Sequence, residues 1–194
     1  NNSLFIIMSR TKVKQNLIDA SFGNVLEYFT YTPDGRTITT TQGNITVPNM
    51  TSYVASSNTV QDISGAITYV PPTGTKYVEY SYSGTWTYND TNPIFHFRIQ
   101  LDGTDIAHSF KTEYVNANNP EGDMLLRAVI EITGSGSDDI ANGKVNTWTS
   151  GKVLRAGFRQ YSSSYEGITN ATRRWDGSSS LVYRPPTATV ISFK

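Results

Sequence analysis

The stretch 71-PPTGTKYVEYSYSGTWTYND-90 decides how this chain is read. Val78, Tyr80, Tyr82, Trp86 and Tyr88 fall on one parity, and Glu79, Ser81, Ser83, Thr85 and Thr87 fall on the other. Successive side chains of a strand point to opposite faces, so this alternation predicts a strand with one buried and one wet face. No catalytic group lies among its aromatic residues. The question is why a chain should align so many tyrosines there.

Working outward, the segment from about residue 53 onward reads as short strands separated by turn chemistry, the pattern of a sandwich or barrel. Strands are expected at 59–63, 66–70, 76–88, 94–101, 104–115, 124–132, 145–149, 152–161, 168–175, 181–183 and 188–193. Phe95, Phe97, Ile99 and Leu101 share one face, against His96, Arg98 and Gln100 on the other. Met124, Leu126, Ala128, Ile130 and Ile132 repeat the pattern, as do Leu154, Ala156 and Phe158. Asp102-Gly103 supplies a tight hairpin turn, and Pro185-Pro186 bends the chain before its last strand. The expected fold is all-β, an antiparallel β-sandwich of the jelly-roll kind.

The N-terminal part reads differently. Residues 9–33 are ambiguous between a short helix and two strands broken at Gly23, whereas "TPDGRTITTTQGNITVPN" predicts a small hairpin with a Pro-Asp-Gly turn ahead of it and a second turn at Gly43-Asn44. Residues 1–52 are therefore expected to form an anchor or extension, and 53–194 the sandwich domain. The apolar run "SLFIIM" is far shorter than the roughly 20 residues a membrane helix needs, and it lacks the basic flank of a signal peptide. Met8 looks like a natural initiation point.

Composition narrows the partners. Sixteen basic and sixteen acidic side chains cancel in 194 residues, which removes the field that would draw the chain onto nucleic acid or anionic lipid. There is no cysteine, so stability must come from packing or from partner subunits. No nucleophile elbow, phosphate loop, dinucleotide fingerprint or zinc signature is present. His96 and His108 lack metal-ligand spacing and read as surface or interface histidines. Asp138-Asp139 offers oxygen ligands for calcium but no further acids at loop-motif spacing, so it reads as a solvated loop. Glu113, Glu121 and Asp123 are the only other acids considered for a glycosidase pair, and nothing in the sequence brings them together. No cofactor, metal or catalytic residue is expected. Glycosylation sequons at Asn44, Asn49, Asn89 and Asn170 are of the number a chain rich in asparagine, serine and threonine produces by chance.

Tyr161, Tyr165, Arg173, Arg174, Trp175 and Asp176, in the stretch "RQYSSSYEGITNATRRWDG", form a candidate receptor, glycan or interface surface, because aromatic platforms beside bidentate arginines make good anchors for sugars or proteins. The alternative is that Tyr161 and Trp175 are strand-end core or subunit-interface residues. Loops at Asp90–Pro93, Asn116–Asp123 and Tyr161–Gly167 are expected to form one exposed end.

The order "FGNVLEYFTYTPDGRTIT", "ISGAITYVPPTGTKYVEYSYSGTW", "FHFRIQLDGTDI", "WTSGKVLRAGFRQYSSSYE" and "RRWDG" resembles small virion structural proteins of aquatic phages and large algal viruses. The resemblance runs from Lys12 to the C-terminus and rests on β patterns, none of them catalytic. It implies a trimeric jelly-roll head of the tumour necrosis factor and complement type, on the outer surface of a virion. It also implies that the partners are further copies of itself, other virion proteins reached through the N-terminal segment, and a host glycan or protein. In that setting Tyr80, Tyr82 and Trp86 fill the core while Tyr77, on the other parity, meets a neighbouring subunit. A carbohydrate-binding β-sandwich module is the alternative.

Overall fold

The computed structural model describes residues 24–88, 94–114, 121–161, 167–174 and 180–194. Its strands are β1 (Val25–Tyr31), β2 (Thr37–Thr40), β3 (Gly43–Thr46), β4 (Val54–Ala55), β5 (Gln61–Asp62), β6 (Ile67–Tyr69), β7 (Tyr77–Tyr88), β8 (Ile94–Leu101) and β9 (Thr104–Asp105). They continue as β10 (Lys111–Tyr114), β11 (Glu121–Ile132), β12 (Lys144–Val145), β13 (Lys152–Gln160), β14 (Gly167–Thr169), β15 (Ala171–Arg174), β16 (Ser180–Tyr183) and β17 (Thr187–Phe193).

The long aromatic strand β7 is the centre of a seven-stranded sheet with the order β1-β17-β7-β11-β12, to which β14 and β4 add at one end. A six-stranded sheet has the order β10-β8-β13-β5, with β6 also on β13 and β9 on β8. The apolar parities of both sheets meet in one core: Val78, Tyr80 and Tyr82 of β7, Phe95, Phe97 and Ile99 of β8, Leu126 and Ile130 of β11, and Leu154 and Phe158 of β13 are buried together. The result is a β-sandwich. Tyr80, Tyr82 and Trp86 are 0%, 1% and 8% exposed, as the alternation predicts.

Those buried tyrosines must satisfy their hydroxyls. Burying an aromatic side chain contributes about 1.5–3 kcal/mol, and an unpartnered buried hydroxyl costs about 1–3 kcal/mol, so the hydrogen bond decides whether the tyrosine helps. Tyr82 Oη donates to Asn170 Oδ1 at 2.6 Å. Tyr31 Oη donates to the Gly65 carbonyl and lies 3.2 Å from Tyr80 Oη. Tyr69 Oη donates to Glu27 Oε2 at 2.7 Å and is equally close to Ser192 Oγ. Burial pushes the phenols of Tyr31, Tyr69, Tyr80 and Tyr82 up, away from ionisation. Gly84 belongs to the same arrangement, because a Cβ there would lie 2.1 Å from Tyr82 Oη.

Three expectations are corrected and one ambiguity is resolved. The boundary at residue 53 is absent: β1 pairs along β17, and Tyr31, Ile45 and Val47 lie in the core, so residues 24–52 are part of the sandwich. The ambiguity over 9–33 resolves to a strand at 25–31, the residues before 24 lying outside the described ones. The strand expected over 104–115 is broken by a 3-10 turn at Ala107–Ser109, where Ser109 Oγ accepts from the Ile99 N–H at 2.8 Å and replaces the lost ladder bond. The strand expected over 168–175 is broken at Asn170, whose φ of 60° turns the chain out of the sheet into the β15–β16 hairpin.

Asn170 is 0% exposed, with Nδ2 donating to the Ile63 carbonyl at 2.8 Å, so this sequon is closed to a glycan in the folded chain. The Asp102-Gly103 turn, with φ of 48° and 80°, forms where expected; the expected hairpin forms as β2–β3, with its turn at Thr41-Gln42 rather than at Gly43-Asn44, which open β3.

Two outcomes follow. Tyr82→Phe strands Asn170 Oδ1 and is expected to lower the unfolding free energy by about 1–3 kcal/mol, read as a shift of the urea midpoint at unchanged slope. A chain starting at residue 53 loses β1 and exposes the β17 edge, so it is expected to lack the cooperative thermal transition of a chain starting at residue 24, which retains every described strand.

Candidate functional site

The ladder register brings several strand ends to one end of the sandwich. Tyr88 faces Gly167, Tyr114 faces Ile94, Gln160 faces Phe95, and Glu121 faces Thr87. The connections between these strands therefore leave from that end. The loop residues 89–93, 115–120 and 162–166 themselves lie outside the described residues.

Of the recognition residues expected from sequence, Tyr161 and Arg173 are described in full. Tyr161 is 67% exposed, its ring centroid 6.4 Å from that of His96. Arg173 is turned inward: its guanidinium donates to the Tyr88 carbonyl at 2.6 Å, and its backbone N–H is held by Glu121, which also accepts from Thr172 Oγ1 at 2.8 Å. Arg173 thus braces β15 against the end of β7, which is a structural use of the guanidinium. Arg174 is described as backbone of β15 only, and Tyr165, Trp175 and Asp176 lie outside the described residues.

A different set is gathered on the outer face of the six-stranded sheet. In the register Thr112–His96–Arg159, three side chains from β10, β8 and β13 stand side by side on the face away from the core. One row further along, Arg98 donates to Asp105 Oδ2 at 2.6 Å and lies 5.1 Å from the ring centre of the exposed Phe110. These residues line a trough of about 370 Å³. Lys111 borders it as well, but pairs with Glu113 at 2.9 Å. His96 Nδ1 lies 3.2 Å from Thr112 Oγ1. Partial burial, then the charges of Arg159 and Arg98, hold the His96 imidazole below its ordinary range. Arg159 has no ion-pair partner among the described residues.

A second cleft, of about 270 Å³, carries no charge and is lined by Pro71, Pro72, Thr73, Asn146, Thr147 and Trp148 among others. Trp148 is buried there and donates Nε1 to the Tyr69 carbonyl, so it is a core tryptophan with no free ring face.

The acids considered from sequence are used locally. Asp138 accepts from the Asn146 N–H at 2.7 Å, and Asp139 accepts from Asn142 Nδ2 at 2.9 Å. Glu113 belongs to β10 of the six-stranded sheet, and Glu121 and Asp123 to β11 of the other. Among the described residues no group of three His, Cys, Asp or Glu could hold a metal ion, and no helix is long and apolar enough to cross a membrane.

The outer face of the seven-stranded sheet is of another kind. Its register aligns Tyr28, Ile191, Glu79 and Val129 in one row, and Leu125 and Tyr77 stand on the same side. Leu125 is 68% and Tyr28 64% exposed. Most charges on this face are matched within the chain: Arg127 pairs with Glu79 at 2.5 Å, Lys144 with Glu131 at 3.8 Å, and Arg184 with Asp123 at 3.5 Å, while Glu121, on the same parity of β11, is held by the Arg173 N–H and Thr172 Oγ1.

No family model and no curated protein sequence matches the chain. A solved structure described as "CBM4 structure and function" is similar at 10% identity over 84% of this chain and 89% of that chain, with a TM-score of 0.20. That degree of overlap informs neither the ligand nor the function.

Proposed function

We propose that this chain is a non-enzymatic structural protein on the outer surface of a virus particle, a jelly-roll head that assembles as a homotrimer through the outer face of its seven-stranded sheet. The strand order supports the jelly roll. The first strand, β1, lies beside the last, β17, followed by β7 and β11, while the other sheet runs β10-β8-β13 and on to β5 and β6. The chain thus crosses repeatedly between the sheets, as a double Greek key does. The resemblance to small virion proteins supports the location, with the residues ahead of β1 contacting another virion protein.

The observation that carries the reading is the row of exposed or half-buried apolar side chains Tyr28, Ile191, Val129, Leu125 and Tyr77 on a face whose charges are mostly paired within the chain. Large exposed apolar patches mark interaction surfaces. Because most charges on this face are already paired within one chain, and Glu121 at its end is hydrogen-bonded to Thr172 and the Arg173 N–H, identical copies can meet there with little like-charge repulsion. In this reading multivalent display lets several weak contacts on one particle add up in host attachment.

A carbohydrate-binding module is the second reading, supported by the exposed Tyr161 and Phe110 that flank the trough on the opposite sheet. It predicts a monomer.

The test is native mass by light scattering over a dilution series. The wild-type chain is expected at three chain masses. Leu125→Glu, at an exposed position that leaves the core untouched, is expected at one chain mass with an unchanged melting temperature. A wild-type monomer at every concentration, or a variant that stays trimeric, would contradict the proposed interface.

A further inference from the structure

The outer face of the six-stranded sheet differs from that of its partner sheet in carrying unmatched positive charge. Arg98 is committed to Asp105 through Nη1, and its Nε is buried with no hydrogen-bond partner. Lys111 is committed to Glu113. Arg155, on the same face, donates Nε to Gln100 Oε1 at 2.7 Å. Arg159 is left over, beside His96, with Thr112 Oγ1 holding Nδ1 of that imidazole and Nε2 unpartnered among the described residues. The charged and titratable groups around His96 are therefore Arg98 on its own strand, Arg159 from β13, and the Lys111–Glu113 pair of β10, with Asp105 beyond Arg98 and the Tyr161 ring 6.4 Å away.

This arrangement suits an anion. A guanidinium presents parallel N–H donors that match a carboxylate or sulfate, and a neighbouring imidazole and hydroxyl add donors at fixed positions. Phe110 lines the trough with Arg98 against one face of its ring, and the exposed Tyr161 stands next to His96 beyond the lining; each ring leaves an apolar face of the size a pyranose covers. A trough of about 370 Å³ accommodates one or two sugar rings.

We propose that the trough over β8, β10 and β13 is a binding site for an acidic sugar, holding its carboxylate or sulfate between Arg159 and His96 while Phe110 and Tyr161 flank the ring. The site lies on the sheet opposite the assembly face and does not depend on assembly. Anion binding favours the protonated imidazole, and the two guanidiniums oppose it in the empty site. The bound state therefore takes up a proton as the pH falls toward the His96 range, and affinity rises with acidity.

Calorimetric titration of the full chain with three disaccharides tests this: one ending in glucuronic acid, one ending in galactose sulfate, and lactose as the neutral probe. At least one acidic probe is expected to bind about tenfold or more tightly than lactose, with affinity falling as salt rises and increasing as the pH is lowered. Which acidic probe wins separates a carboxylated from a sulfated source.

Arg159→Gln is expected to abolish the preference. Arg155→Gln, on the same face but bound to Gln100, is expected to retain it. Both positions are outside the core, and the melting temperature checks that each variant folds. Lactose binding as well as either acid, no binding of either acid, or an unchanged preference in Arg159→Gln would overturn the proposal. Inorganic sulfate competing as strongly as the disaccharides would also overturn it, because the rings would then contribute nothing. The light-scattering mass of Arg159→Gln is expected to equal that of wild type, which keeps this outcome separate from the assembly reading.

Discussion

The hydrogen bond from Tyr82 to Asn170 is the contact on which the sandwich turns. β17 pairs with β7 only as far as Ser83, and β14 takes over that side of β7 from Trp86 to Tyr88. Asn170 stands at the handover, its N–H on the Thr85 carbonyl, its side chain bridging Tyr82 and Ile63. Its left-handed backbone is uncommon for a residue with a side chain, and asparagine is among the residues that tolerate it best. Gly84 keeps the space above the strand open for the phenol. One buried polar cluster thus joins the two sheets and releases the chain into the β15–β16 hairpin. This answers the question raised by the tyrosine-rich strand: the rings fill a core without disulfides, and their hydroxyls place polar pins inside it.

From that frame the two outer faces follow different chemistries. On the seven-stranded sheet the outer parity of β7 and β11 carries charges of both signs, most of them paired within the chain. On the six-stranded sheet the wet parity of β8 and β13 carries His96, Arg98, Arg155 and Arg159; Arg155 is bonded to the neutral Gln100, and Arg159 has no ion-pair partner among the described residues. A face of the first kind favours contact with a copy of itself, and a face of the second kind selects its ligand by charge. In the proposed head, one sheet builds the particle and the other reads what the particle meets.

Much of the frame was legible in the sequence because strand parity is a local signal. The apolar residues of Val78–Tyr88, Phe95–Leu101 and Met124–Ile130 point inward as the alternation says, and Asp102-Gly103 turns where the dipeptide says, but the parity expected to be wet is not wet throughout: Glu79, Thr85, Thr87 and Gln100 are buried, Thr85 with its hydroxyl on the Ala171 carbonyl. What was missed depends on contacts distant in sequence. Residues 25–31 belong to the sheet only because β17 pairs with them, and nothing in "VLEYFTY" names that partner. The break at Ser109 exists because its hydroxyl substitutes for a ladder bond of Ile99. The trough collects Thr112, His96 and Arg159 from three strands, so no short motif contains it. The aromatic-arginine stretch that looked like a recognition site yields Arg173 as a brace, and Tyr161 as a neighbour of the trough.

Eight of the twelve tyrosines fall into three groups: core (Tyr31, Tyr69, Tyr80, Tyr82), assembly face (Tyr28, Tyr77) and the opposite side or loop end (Tyr114, Tyr161). Tyrosine nitration mapped by mass spectrometry, on the concentrated and on the highly diluted chain, tests that division in one measurement. The core group is expected to be unreactive at both concentrations, Tyr28 and Tyr77 to become reactive only on dilution, and Tyr114 and Tyr161 to react throughout. Reactive Tyr28 and Tyr77 in the concentrated sample, or concentration-dependent protection of Tyr161 instead, would contradict it.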